Sequence, residues 1–211
     1  MVRTAKEVSN IDPFLTSLWP TQRKAGEQRH FLGLNEPDVA SQADLSVEEA
    51  LEIWRMHVLP ARAKFKFRLG GPAVSSSPEG RGWLRGFWEE LGGEGRGKIA
   101  FLPVHWYGSE VRELERYLRE VHAEFGKPLW VTEFAFVKMD RTTETKPWEV
   151  EGFMMESVAL LDGLEFVERY AWFGAMDEPG QWTGREIALT ETSGHGQGAL
   201  RRLGRMYCDE L

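Results

Sequence analysis

Ile99-Ala100-Phe101-Leu102-Pro103-Val104-His105-Trp106 is an apolar run that gives way, after a short polar gap, to Val111, Leu114, Leu118, Val121 and Phe125. Gly126 follows, and then a second run, Leu129-Trp130-Val131-Thr132-Glu133-Phe134. The middle set steps by 3, 4, 3 and 4 residues, which places five apolar side chains on one stripe of a helix with the charged residues opposite. Gly126 stops that helix. The flanking runs have the length and composition of strands, so the stretch predicts a strand-helix-strand unit with its two strands parallel.

The same rhythm extends in both directions. Upstream, His30–Glu36 is a short apolar run ending at Asn35-Glu36-Pro37, where proline stops sheet pairing. Ser46-Val47-Glu48-Glu49 matches a capping box, and Val47, Leu51, Trp54 and Val58 continue at helical spacing to an expected end at Pro60. Phe65–Leu69 reads as a second strand, closed by Gly70-Gly71-Pro72, with a helix around Gly82–Leu91 and a glycine-rich turn after it. Downstream, Pro147 opens a helix whose Val150, Met154, Val158 and Leu161 share a face. Arg169–Phe173 is a fifth strand, and a helix around Gly198–Tyr207 closes the chain. Five strand-then-helix units in succession predict an α/β fold with parallel strands, of the (β/α)8 TIM-barrel type. A doubly wound sheet would usually carry a glycine-rich turn after its first strand, and none follows here.

The 211 residues suffice for one well-buried core, and no shift in composition marks a second domain. The net charge of -7 disfavours nucleic acid or an anionic membrane as partner. No apolar run approaches the roughly 18 residues of a membrane-spanning helix. Met1 to Trp19 lacks the unbroken apolar segment of a signal peptide. Cys208 is the single cysteine, so no internal disulfide forms.

Polar residues gather where the strands end: Asn35-Glu36, His105 and Thr132-Glu133. In a (β/α)8 barrel that is the catalytic end, where the loops converge. Two carboxylates from different strand ends are what acetal hydrolysis needs. One protonates the leaving oxygen, and the other attacks the anomeric carbon or activates a water. Glu36 and Glu133 meet that demand, with room between them for three βα units. A lone Glu at a strand end is more simply a solvated rim residue; the pair, with its neighbours, shifts the balance. The chain has 9 Trp, several of them beside polar residues (Trp106, Trp130, Trp172, Trp182). Each is more simply packing than a stacking platform for the C–H face of a sugar.

Phe31-Leu32-Gly33-Leu34-Asn35-Glu36-Pro37-Asp38 resembles the acid/base strand of the barrel β-glucanases of glycoside hydrolase family 128. Further segments resemble that family in the same order: Gly71-Pro72-Ala73, Val104-His105-Trp106-Tyr107-Gly108, Trp130-Val131-Thr132-Glu133-Phe134 and Tyr170-Ala171-Trp172-Phe173. Thr192-Ser193-Gly194 and Leu203-Gly204-Arg205-Met206-Tyr207 resemble its closing turn and helix. The resemblance implies a retaining double displacement on β-1,3-glucan, with Glu36 as general acid/base and Glu133 as nucleophile. It also implies that Asn35 bonds the sugar hydroxyl next to the reacting carbon, that His105 and Tyr107 line the cleft and orient Glu133, that Trp106 is among the substrate-binding residues, and that Trp172 stacks on a sugar ring. No metal or cofactor is implied.

The family barrel opens with three further βα units, and only 29 residues precede His30 here. The expected organisation is therefore a lead over residues 1–29, with Phe14–Trp19 as a remnant strand, and a partial barrel over 30–211 lacking the first three units. A bare sheet edge of that kind favours self-association. The alternative function is a non-catalytic carbohydrate-binding or interaction remnant of the same fold. Family members are often secreted, while this N-terminus carries no export signal.

Other signals are bland. Gly92–Lys98 has the spacing of a phosphate loop, but Ile99 replaces the Ser/Thr that would hold magnesium, and the segment precedes a strand. His30, His57, His105, His122 and His195 show no metal-ligand spacing. No GxSxG nucleophile elbow occurs.

Overall fold

Parallel strands and covering helices are what the computed structural model shows, over the described residues 28–140, 143–192 and 198–209. The expected lead, the remnant strand at Phe14–Trp19, the turn residues Ser193 and Gly194, and His195 lie outside those residues, apart from the last two positions of the lead. Five strands follow the order β1-β2-β3-β4-β5, with β1–β2, β2–β3 and β4–β5 parallel. The chain divides into two units, one ending at Val104 and the other beginning at His105.

In the first unit β1 (His30–Phe31) is followed by α1 (Val47–Ile53), a π-helical turn (Trp54–Val58) and α2 (Leu59–Phe65). The capping box forms as expected: Glu49 N–H donates to Ser46 Oγ at 3.2 Å and Ser46 N–H to Glu49 Oε2 at 2.9 Å. Pro60 does not end the helix. It sits in the first turn of α2, where its missing N–H costs little. The wide turn before it, closed by the Leu59 N–H on the Trp54 carbonyl, keeps Trp54 and Val58 both buried. Phe65 therefore ends a helix rather than opening a strand, and β2 is only Arg68–Gly70. Helix α3 (Pro78–Lys98) carries the expected glycine-rich turn inside it, as a break at Gly92 with φ 72°. Residues 93–98 are helical, so the phosphate-loop spacing has no loop. Trp54, Trp83 and Phe87 form the aromatic centre of this unit: Phe87 meets Trp54 edge-on at 5.2 Å and stacks on Trp83 at 5.5 Å.

Strand β3 (Ile99–Gly108) enters the second unit, which continues with α4 (Val111–Phe125), β4 (Leu129–Phe136), α5 (Pro147–Gly163) and β5 (Val167–Trp172). The α4 stripe buries Leu114, Leu118, Val121 and Phe125, and Gly126 caps it in the left-handed region at φ 63°. Helix α5 buries Val150, Phe153, Met154, Val158 and Leu161, apolar groups set on one face. Its start is held by Glu149, which accepts from Lys146 N–H at 2.8 Å and from Lys138 Nζ at 2.7 Å. A 3-10 turn (Arg185–Ile187) and an antiparallel pair, β6 (Thr190–Thr192) with β7 (Gly198–Leu200), precede α6 (Arg202–Asp209). Strand β7 occupies the start of the segment expected to be helical. No described helix is long and apolar enough to cross a membrane.

Candidate active site

Strand segments place the acidic residues, Glu36 just past a parallel bridge and Glu133 within β4. In the first unit the β1 segment runs on beside the β2 segment: Asn35 forms a parallel bridge with Ala73, and Ala73 N–H donates to the Leu34 carbonyl at 2.8 Å. The approach is close enough that a Cβ at Gly33 would lie 2.4 Å from the Gly71 carbonyl oxygen, so only glycine fits there. Glu36 N–H then donates to the Ala73 carbonyl at 2.7 Å. Its backbone turns sharply, with φ 42°, a left-handed conformation that a non-glycine residue holds only under constraint. The carboxylate of Glu36 is half-buried, and Asn35 is buried with its Nδ2 donating to Gln42 Oε1 at 3.3 Å.

The second unit assembles His105, Tyr107 and Glu133. Residues 105 and 107 are on β3, and Glu133 is on β4. Tyr107 Oη donates to Glu133 Oε2 at 2.7 Å, and His105 Nδ1 lies 3.4 Å from the same oxygen. The His105 side chain is fully buried, while that of Glu133 is 23% exposed. Both neighbours approach Oε2, so the carboxylate is fixed in orientation while Oε1 is engaged by neither. That suits an oxygen that must attack or activate a reactant.

The indoles divide into buried and open. Trp106 is buried, stacked on Phe153 at 5.7 Å. Trp172 is buried too, its Nε1 donating to the Ile187 carbonyl at 2.9 Å and its ring contacting Phe134 and Phe153. Its neighbours therefore cover most of the Trp172 ring. Trp182, on the loop before the 3-10 turn, is 46% exposed and meets Tyr107 edge-on at 4.8 Å. The sequence marks Trp182 only as one indole among several beside polar residues. Its loop has no periodicity that would aim it at Tyr107. His122 is accounted for away from the carboxylates, with Nδ1 2.9 Å from the Lys127 carbonyl and its ring stacked on Phe166.

Residues 4–207 match the glycosyl hydrolase catalytic core model. The chain belongs to that family, and within it to glycoside hydrolase family 128. A relative from Schizosaccharomyces pombe, alkali-sensitive linkage protein 1, is 32% identical over 178 residues, covering 83% of this chain. The chain spans 32% of that protein's length. The family 128 subgroup VI exo-β-1,3-glucanase of Aureobasidium namibiae shares the fold with TM-score 0.72 and 28% identity, over 87% of this chain and 68% of that one. The subgroup I endo-β-1,3-glucanase of Amycolatopsis mediterranei, solved with laminaritriose, gives TM-score 0.65 and 34% identity, over 84% of this chain and 70% of that one. The α/β fold of parallel strands expected from the sequence is therefore that of family 128.

Proposed function

We propose that this family 128 chain cleaves β-1,3-glucan by a retaining double displacement, with Glu133 as nucleophile and Glu36 as general acid/base. The observation that carries the reading is the hydrogen bond from Tyr107 to Glu133 Oε2 at 2.7 Å, which points one carboxylate oxygen and leaves the other to react. Glu133 Oε1 attacks the anomeric carbon while Glu36 gives its proton to the departing glycosidic oxygen. Glu36 then takes a proton from the water that releases the sugar. A retaining mechanism requires the two carboxyl groups to come within about 5–5.5 Å over the bond being cut. Support comes from their setting on parallel-strand segments, Glu133 within β4 and Glu36 just past the Asn35 bridge, and from solved β-1,3-glucanases that align along 84–87% of the chain.

Asn35 and His105 take the parts of hydroxyl partner and cleft wall, Trp106 backs the cleft from the core, and Trp172 meets a sugar ring with the part of its face left open. Trp182 offers the open aromatic face to a sugar ring. The five strands correspond in this reading to strands four to eight of the family barrel. Among the described residues β1 pairs with β2 alone, and association of copies through its other edge is part of the proposal. No nucleic acid or membrane partner enters it.

The alternative of carbohydrate binding without cleavage is favoured by one observation, the exposed Trp182 ring against Tyr107. Incubation with laminarin, scored by new reducing ends, separates the two. Hydrolysis by the native chain that is lost in Glu36→Gln and in Glu133→Gln supports the glycosidase. Tryptophan fluorescence that responds to glucan, with no reducing ends from any form, supports the binding reading.

A further inference from the structure

We propose that Asp38 is a positioning residue that holds Glu36 in its left-handed turn, an inference that rests on the acid/base reading of Glu36. Glu36 is strained twice. Its φ of 42° is one that non-glycine residues avoid, and the following Pro37 further narrows its conformations. A strained residue persists only where its surroundings over-determine it. The hydrogen bond from Glu36 N–H to Ala73 is one restraint. A second is the Val39 N–H bond to the Glu36 carbonyl at 3.1 Å, and a third lies two residues on: Asp38 Oδ1 accepts from Ser75 N–H at 3.1 Å, and Asp38 Oδ2 accepts from Ser75 Oγ at 2.5 Å. Glu36 and Asp38 are thus tied to Ala73 and Ser75, two residues apart on each side, and the chain between has no slack.

The tie is anchored in turn. Ser75 Oγ lies 3.0 Å from Ser77 Oγ, and Ser77 Oγ accepts from Gly80 N–H at 3.0 Å as the cap of α3. Space at that cap is reserved for the carboxylate. A Cβ on Gly80 would lie 2.6 Å from Asp38 Oδ2 and 2.7 Å from Ser75 Oγ. Asp38, Ser75, Ser77 and Gly80 form a clamp whose output is the backbone geometry of Glu36, and none of them needs to touch substrate.

Two measurements decide this, on Asp38→Ala and, should that chain fold poorly, on Ser75→Ala, which removes the hydroxyl that donates to Asp38 Oδ2. The first is residue-resolved amide exchange. The Glu36 amide is expected to exchange at least tenfold faster, while the Gly71 amide, bonded to the Phe101 carbonyl, keeps its rate. Unchanged protection at Glu36 overturns the clamp, whether or not the chain cleaves glucan.

The second compares laminarin with a dinitrophenyl β-laminaribioside, whose leaving group departs without an acid. The clamp predicts a kcat on laminarin lower by about tenfold or more at unchanged KM, a kcat/KM for the dinitrophenyl substrate, which reports glycosyl-enzyme formation alone, within about threefold of native, and recovery on laminarin in Asp38→Asn. Equal losses on both substrates overturn the positioning role and indicate general structural damage. A native chain that cleaves neither substrate, yet loses Glu36 protection in Asp38→Ala, retains the clamp and removes the glycosidase reading.

Discussion

Tyr107 Oη donates a hydrogen bond to Glu133 Oε2 at 2.7 Å, across two strands and 26 residues of sequence. A hydrogen bond to a charged group contributes about 1.5–3 kcal/mol when its partner is lost. Tyr107→Phe preserves the ring contacts to Phe173 and Trp182 and removes only that donor. The expected result is a kcat on laminarin lower by roughly 10- to 100-fold with little change in melting temperature. Steady-state kinetics beside a thermal melt check it, and native-like turnover in the variant would contradict the role given to this pair.

Trp182 is predicted to act on affinity rather than rate. Its exposed ring is braced by Tyr107, and replacing it removes stacking area from substrate and transition state alike. Trp182→Ala should raise KM for laminarin roughly 5- to 10-fold, about 1 kcal/mol, with kcat near native. Trp172→Ala should instead cost about 3–5 kcal/mol of stability, because that ring is buried among Phe134 and Phe153. Fluorescence titration with laminarin and urea unfolding distinguish the two outcomes.

These contrasting tryptophans show what was legible in the sequence. The α4 stripe, Gly126 and the β3 and β4 runs could be read because hydrophobic periodicity is local and each element obeys it by itself. Pro60 misleads because a proline is tolerated in the first turn after a π-helical one, and no sequence pattern announces that turn. The β6–β7 pair is similarly hidden, being two strands of three residues with little alternation. At the site, Glu133 could be named from its strand end, whereas the exposure of Trp182 and the burial of Trp172 depend on side chains distant in sequence. The Asp38–Ser75 tie spans 37 residues, and only the Ser77 cap had a local signature.

Ser157 offers a test on the core of the second unit. It lies on the buried face of α5 between Met154 and Leu161, fully covered, and its Oγ has no hydrogen-bond partner among the described residues. A buried hydroxyl without a partner carries a desolvation cost, about 1–3 kcal/mol when none of it is recovered. Ser157→Ala removes the hydroxyl and improves helix propensity while leaving a space of only one oxygen. The variant is expected to match or exceed native stability by up to about 1 kcal/mol in chemical denaturation. A loss greater than about 1 kcal/mol would show that the hydroxyl has a role in holding α5.

Tyr170 gives the alkaline limit of stability. Burial pushes its phenol up to about 12, assisted by the hydrogen bond it donates to Asp162 Oδ1 at 2.8 Å and by that carboxylate's charge. In the unfolded chain a tyrosine titrates near pH 10. Between about pH 10 and 12 the unfolded state has therefore lost a proton that the folded state keeps, and the free energy of unfolding falls as pH rises. The contribution is complete below about pH 10 and gone once pH has passed about 12. Tyr207, also shifted upward by burial, acts in the same direction. Tyr170→Phe should be less stable than native at pH 8, and the gap should narrow steadily between pH 10 and 12 as the native chain loses what the variant never had. Urea titrations at four or five pH values across that window measure the gap directly; a difference that stays constant would mean that the Tyr170 hydroxyl titrates alike in the folded and unfolded chain.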